Sequence, residues 1–316
     1  MNAEAERRPV LDVAVAIIQR EDGHVLLAQR PKGKPWEGYW EFPGGKIESG
    51  EDARRALARE LHEELGVESG RVYPWVTQEY AYPEKRVRLH FYRVTEWHGQ
   101  PHGREGQHMS WEDPAAINIG PLLPANDRIL RALCLPSIYA ISNVKKFGEA
   151  DFLQRLKAAL EKGVRLVQLR EPEMPPEQLE SLARRVVRLV HEHDARVLIN
   201  SDATLARRVG ADGVHLTSRQ LLQTRERPST DWWAASCHDV AELAQAAGLG
   251  ADFVVLSPVL PTPSHPEDKG LGWDNFASLV NNYAVPVYAL GGMKLELLET
   301  AMQYGAHGIS LLSEIW

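Results

Sequence analysis

The second half of this 316-residue chain repeats one small unit, and the repetition limits its fold more than any other feature. Short apolar runs at 138–141, 166–169, 197–199, 213–216, 232–236, 253–256, 287–289 and 308–312 alternate with helical segments. Three of the joints read alike: Gly210-Ala211-Asp212, Gly250-Ala251-Asp252 and Gly305-Ala306-His307. A glycine that ends a helix and feeds a buried strand is the expected connection. Eight such units predict a (β/α)8 TIM barrel with its site at the C-terminal ends of the strands. Only Ser313 to Trp316 follow the eighth run, so a full last helix is not expected. The apolar seam between last and first strands then needs cover. The first half of the chain, a second copy in a homodimer, and Trp316 itself are the three candidates.

Residues 134–136 separate this rhythm from a different one, which predicts domains at 1–133 and 137–316 joined by a short linker. The length allows each half its own core. In the first half, 11–20 and 24–30 are strand-like around Glu21-Asp22-Gly23, a hairpin signal. Further strands are expected at 72–80 and 86–96, and a closing helix at 127–133. Between them, Gly45 to Val67 reads as a loop turning into one helix. Ser49 with Asp52 predicts its N-cap and acidic partner, and Gly66 its C-terminal glycine. Ala53, Leu57, Leu61 and Leu65 form one apolar stripe. Glu60 and Glu64 project together from another face, and like charges at that spacing cost roughly 0.2–0.5 kcal/mol. A hard divalent cation is the natural offset, since Mg²⁺ takes one or two carboxylates plus substrate phosphates.

Gly45, Glu51, Arg59, Glu60, Leu61, Glu63, Glu64, Gly66 and Val67 fill every specified position of G-x5-E-x7-R-E-U-x-E-E-x-G-U. The first half therefore resembles the Nudix family, which implies an α/β/α sandwich with a mixed sheet. Glu41 to Glu48, Gly103-Arg104-Glu105-Gly106-Gln107 and Leu123-Pro124-Ala125-Asn126 are similar to the MutT-type branch, whose members hydrolyse oxidised purine nucleoside triphosphates. That resemblance implies Mg²⁺ or Mn²⁺ held by the Gly44 carbonyl, Glu60, Glu64 and Glu105. It places Arg59, Glu51 and Glu63 in the catalytic machinery, with the base left open between Glu63 and a neighbouring carboxylate. Arg30, Phe42 and Asn126 are the nucleotide-binding candidates. Asn126 is equally placed to cap the helix after it, Phe42 to fill the core, and Glu105 to be merely solvated.

The second half resembles the thiamine-phosphate synthase/TenI family. Gln168-Leu169-Arg170-Glu171, Leu198-Ile199-Asn200, Ser236-Cys237-His238, Ser257 to Thr262 and Gly291-Gly292 carry the likeness. Pro172 stands near where synthases have a lysine. Ser201 and Gln220 stand where they have metal-binding aspartates. TenI-type tautomerases need no such metal and use a histidine that matches His238. The resemblance implies a thiazole or thiamine phosphate ligand held by Gln168, Arg170, Asn200, His238, Thr262, Gly291, Gly292 and Ser313, and it implies no cofactor for the barrel. A barrel used only for ligand sensing or dimerisation is the non-catalytic alternative. A further enzymatic alternative has the first half cleave thiamine-pathway diphosphates.

A net charge of −7 argues against a surface built to coat nucleic acid, although a metal-bound nucleotide remains an acceptable substrate. Two cysteines with no CxxC spacing, and no long apolar segment, predict a cytoplasmic protein without disulfides or membrane contact.

Overall fold

The computed structural model describes residues 9–261, 267 and 269–316, so Thr262 lies outside the described residues. The chain divides into two compact units with the boundary between Cys134 and Leu135, except that Asn281–Ala284 groups with the first. In the first, β1 (Val10–Ile18) is followed by β2 (Val25–Gln29), β3 (Trp40–Glu41), β4 (Gly44–Lys46) and α1 (Ala53–Leu65). Then come β5 (Glu68–Ser69), β6 (Val72–Ala81), β7 (Arg86–Val94), β8 (Trp97–His98), β9 (Met109–Glu112) and α2 (Asp127–Leu133). The main sheet runs β4-β1-β7-β6, and a smaller one β3-β2-β9. β1 lies parallel to β7 and antiparallel to β4, so the main sheet is mixed.

Alternation along β1 builds the sandwich. Ala14, Ala16 and Ile18 pack with Leu57, Leu61 and Leu65 of α1, whereas Val15 and Ile17 pack with Ile129 and Leu130 of α2. The apolar stripe of α1 includes fully buried Ala56, and Ala53 is only half-buried.

Two local expectations are corrected. The turn at Glu21-Asp22-Gly23 forms, with Gly23 N–H donating to Arg20 O at 3.0 Å. Pairing across it is confined to the strand ends, with Arg20 N–H donating to His24 O at 2.9 Å and an antiparallel bridge between Gln19 and Val25, because β4 and β7 take both edges of β1 and β2 joins the other sheet. The N-cap of α1 is Asp52 rather than Ser49. Its carboxylate accepts the Arg54 and Arg55 N–H groups at 3.0 Å each, so the helix starts three residues later than Ser49 would place it. Gly66 ends it at φ 69° as expected.

The second unit is a closed parallel barrel of β10 (Ile138–Ile141), β11 (Leu166–Leu169), β12 (Arg196–Asn200), β13 (Gly213–Leu216), β14 (Trp232–Cys237), β15 (Phe253–Leu256), β16 (Val287–Ala289) and β17 (Gly308–Leu311). All eight expected strands form. Tyr139, Phe253 and Tyr288 fill the interior, with ring centroids 5.1–5.7 Å apart. Among the described residues, no helix follows β17. Trp316 instead packs edge-on against Phe152, and its indole N–H donates to Ile141 O at 2.7 Å. Ile315 and Trp316 thus join the apolar cluster formed by the first barrel helices.

His215 lies inside the barrel, its Nδ1 3.2 Å from the Tyr139 hydroxyl and its Nε2 2.9 Å from the Ser236 hydroxyl. Burial, aided by the Arg170 charge, pushes its pKa down to about 3. An unfolded chain takes up that proton near pH 6.5, so the unfolded state binds more protons between those values and stability falls as pH falls. The expected contribution is about 1.4 kcal/mol per pH unit across that window. The urea midpoint of the barrel should therefore fall less steeply from pH 6.5 to 4.5 in His215→Asn than in the wild type.

Candidate functional site

Arg59 on α1 is the hub of the first unit's site. Its Nε and Nη2 donate to the two oxygens of Glu51 at 3.1 and 3.0 Å. Nη1 donates to Glu60 at 2.8 Å and to Glu63 at 3.3 Å, and Nη2 also reaches Lys46 O at 2.9 Å. One guanidinium therefore orients three carboxylates and ties the helix to the strand before it. These bonds hold the Glu51 carboxyl below its usual range.

The loop ahead of α1 is shaped to admit Glu60. A Cβ on Gly45 would come within 2.1 Å of the Glu60 carboxylate. Gly44, at φ 149°, leaves room for Ala14 O, which a Cβ would meet at 2.1 Å. The Gly44 N–H bonds Glu64, whose pKa is nonetheless pushed up to about 7. Burial is the main cause, followed by the charges of Glu60, Glu41 and Glu105.

The loop carrying Glu105 is fastened to the end of α1. Arg104 N–H and the Gln107 side-chain amide both donate to Glu64 O, at 3.0 and 3.2 Å. The Arg104 guanidinium reaches His62 O at 2.9 Å. Glu105 itself pairs with Lys34. Among the described residues, no three carboxylate, imidazole or thiolate groups stand close enough to enclose a cation as the side chains lie. The donor chemistry nevertheless fits a hard divalent ion. The site offers only oxygen, and mutual repulsion of its carboxylates is what such an ion relieves.

Of the three nucleotide candidates, Arg30 pairs with Glu41 and donates to Pro35 O at 2.7 Å. Phe42 is 3% exposed, with its ring edge-on to Phe91, and belongs to the core. Asn126 does not cap α2: its backbone is already helical, at φ −84° and ψ −20°, and its side chain makes no capping bond. It turns inward instead and donates to Trp40 O at 3.4 Å, next to Glu41. The sequence alone assigns no role to the side chains of Glu41 and Lys34. A carboxylate between Trp40 and Phe42 reads as the polar side of a strand, and a lysine in a Pro/Gly loop as solvated.

In the barrel, Gly291 and Gly292 sit at φ 97° and 67°. A Cβ there would strike Pro258 at 2.8 Å and Leu260 at 2.7 Å, so both must be glycine. Gln168 is buried, and Asn200 donates to the Ser201 hydroxyl at 2.8 Å. Arg170 is exposed and lines a cavity of about 390 Å³ with Ser142, Lys145, Glu171 and Leu312. Ser313 is half-buried. The positions of the altered metal ligands are in structural use. Ser201 donates its backbone N–H to His215 O at 2.8 Å, and Asp202 beside it caps the next helix by accepting Leu205 N–H at 2.7 Å. Gln220 forms a capping box with Thr217 and donates to Ser201 O at 2.8 Å.

His238 follows β14 directly, and its Nδ1 lies 2.9 Å from Glu242. The Cys237 thiol is buried and pushed well up by that burial, then by Glu242 and Asp239, which makes it a poor nucleophile.

Residues 138–315 match the thiamine monophosphate synthase family and residues 9–133 the NUDIX domain. The chain belongs to both families. A thiamine-phosphate synthase from Azorhizobium caulinodans is 32% identical over 183 residues, covering 57% of this chain and 86% of that protein. For the Nudix half, an 8-oxo-dGTP diphosphatase from Haemophilus influenzae is 38% identical over 126 residues, covering 40% of this chain and 93% of that protein. A CTP pyrophosphohydrolase from Escherichia coli is 40% identical over 129 residues, covering 39% and 90%. The Nudix half is thus a pyrophosphohydrolase domain. Among the described residues, no helix is long and apolar enough to cross a membrane.

Proposed function

We propose that the Nudix half hydrolyses oxidised purine nucleoside triphosphates, converting 8-oxo-dGTP to 8-oxo-dGMP and pyrophosphate, with Mg²⁺ or Mn²⁺ as cofactor. The observation that carries this reading is the Arg59 lattice holding Glu51, Glu60 and Glu63 beside the Glu64 carboxylate cluster. The Gly44 carbonyl, Glu60, Glu64 and Glu105 would hold the cation. When bound, it polarises phosphoryl oxygens, offsets developing negative charge and lowers the pKa of a bound water.

The chain's own residues supply position and proton transfer. Arg59 keeps the carboxylates from splaying under their own repulsion. Its two bonds to Glu51 make that carboxylate a weak base, whereas Glu63 keeps one long contact and is 59% exposed. Glu63 is therefore the better acceptor for the proton of the attacking water. Lys34 occupies one oxygen of Glu105 and leaves the other for a ligand role.

The substrate reading rests on the diphosphatase relatives and on Asn126. Asn126→Ala is expected to lower the kcat/KM ratio of 8-oxo-dGTP to dGTP by roughly 10–100-fold, the loss of one or two hydrogen bonds to a base. An unchanged ratio would remove Asn126 from base recognition. The CTP pyrophosphohydrolase relative favours a second reading, in which a pyrimidine triphosphate is the preferred substrate. The fused barrel is proposed to bind, or to tautomerise, a thiazole phosphate through Gln168, Arg170, Asn200, His238, Gly291, Gly292 and Ser313. Ser201, and Gln220 in its capping box, stand where the synthase resemblance expects metal-binding aspartates and speak against metal-assisted diphosphate displacement there.

A further inference from the structure

We propose that Glu242 is a positioning residue that fixes the ring tautomer of His238 and thereby makes Nε2 the proton acceptor at the barrel mouth. The inference deepens, and rests on, the reading of the barrel as an acid–base site for a phosphorylated thiazole. His238 is the first residue beyond β14, at the end of the strand where barrels of this architecture carry their chemistry. Its side chain is 45% exposed, while that of Glu242 is only 10% exposed.

A single oxygen of that buried carboxylate meets two groups of the same histidine. Glu242 Oε2 accepts the His238 backbone N–H at 2.7 Å and faces Nδ1 at 2.9 Å. An ionised carboxylate can only accept, so Oε2 accepts from both groups. The Nδ1 facing it therefore carries the ring proton. A neutral imidazole has one N–H, so the lone pair is on Nε2. Glu242 is itself anchored, because Asp239 caps the helix Val240–Gly248 and accepts the Glu242 N–H at 2.9 Å. Satisfying the His238 backbone needs only the first of the two bonds to Oε2. The ring contact is additional, and its consequence is chemical.

In an isomerisation, Nε2 takes a proton from a ligand carbon while the released electron pair moves into the conjugated ring. The imidazolium then returns the proton to a different carbon, so no oxidant or co-reactant is required. The transient positive charge forms beside the Glu242 carboxylate, which stabilises it through a charge-assisted hydrogen bond. An orienting carboxylate of this kind is the usual means of selecting an imidazole tautomer.

The test is long-range ¹H–¹⁵N NMR of the full chain with ¹⁵N-labelled histidine, at a pH where the ring is neutral. His238→Asn identifies the signals. The expected wild-type spectrum shows His238 mainly as Nδ1–H. Glu242→Gln, whose amide oxygen still accepts, should keep most of that population, and Glu242→Ala should revert to the mixture of free imidazole. An Nε2–H wild type overturns the proposal, as does an Nδ1–H population untouched by Glu242→Ala. The wild-type spectrum decides alone should the alanine variant fail to fold. Turnover of a phosphorylated thiazole carboxylate, followed by its ultraviolet absorbance, separates the two ideas. Turnover with an Nε2–H ring overturns the role of Glu242, whereas an Nδ1–H ring without turnover overturns the acid–base reading of the barrel.

Discussion

Glu60→Gln lowers kcat/KM for nucleoside triphosphate hydrolysis by roughly 10²–10⁴-fold, while the Nudix half stays folded. The Glu60 carboxylate lies against the backbone of Gly45 and accepts from Arg59 at 2.8 Å. Glutamine fills the same space and still offers an oxygen to Arg59, so the helix and its stripe of Leu57, Leu61 and Leu65 keep their packing. What it lacks is the charge proposed to hold a cation against the phosphates, and losing that electrostatic support would cost several kcal/mol of transition-state stabilisation. Removing one of two like charges four residues apart should also relieve roughly 0.2–0.5 kcal/mol of repulsion. The bond from Arg59 loses its charge assistance at the same time, so the melting temperature of the metal-free variant should stay close to that of the wild type. Steady-state kinetics with Mg²⁺, together with calorimetric titration of Mn²⁺, separates lost chemistry from lost structure. A variant with a third of wild-type activity would place Glu60 outside the site.

Gly308→Ala destabilises the barrel by about 3 kcal/mol, the upper end of what overpacking usually costs. The residue opens β17, and a Cβ there would sit 2.0 Å from the backbone carbonyl of Ser137. A backbone oxygen cannot rotate away as a side chain can, so the strand has to shift. Gly213→Ala repeats the conflict at β13, where a Cβ would lie 2.0 Å from Trp232 O. Gly248 supplies the contrast: it ends its helix in open space, and a methyl group added there would meet nothing within 4 Å. Gly248→Ala should stabilise by about 0.5–1 kcal/mol through the entropy glycine loses on folding. Urea midpoints of the barrel transition check all three. Equal midpoints for Gly308→Ala and the wild type would mean that the β17–β10 junction has slack enough to take a side chain.

These glycines also show what could be read in advance. The joints 210–213 and 305–308 repeat because each combines two requirements. The first glycine takes a positive φ, 73° at Gly210 and 94° at Gly305. The last has no room for a side chain beside a neighbouring carbonyl. Both leave a mark at fixed spacing, so the eight strands were legible. Arg59 was legible for the same reason, since its partners lie one helical turn or one loop away.

Features that depend on distant neighbours were not legible. Lys34 and Glu105 are 71 residues apart, and nothing local to either announces the pair. Asn126 stands where a cap would, but a 3-10 turn at Pro124–Asn126 makes its backbone helical and frees its side chain for Trp40 O. Ser49 and Asp52 both suit a cap, and only the course of the loop after β4 chose between them. The polar residues at 201 and 220 could be seen to depart from a metal-binding pattern, but the capping roles of Asp202 and Gln220 required the helices around them. Glu242 carries no signal of its own, because a glutamate on the first turn of a helix ordinarily needs no explanation beyond the helix dipole.

The Nudix half is proposed to remove oxidised purine nucleotides. Hydrolysis of 8-oxo-dGTP, dGTP and CTP by the full chain with Mg²⁺, followed by pyrophosphate release, tests it most directly. The highest kcat/KM is expected for 8-oxo-dGTP, with pyrophosphate and the nucleoside monophosphate as products and a loss of that activity in Glu60→Gln. A higher kcat/KM for CTP, or no hydrolysis of any of the three, would contradict it.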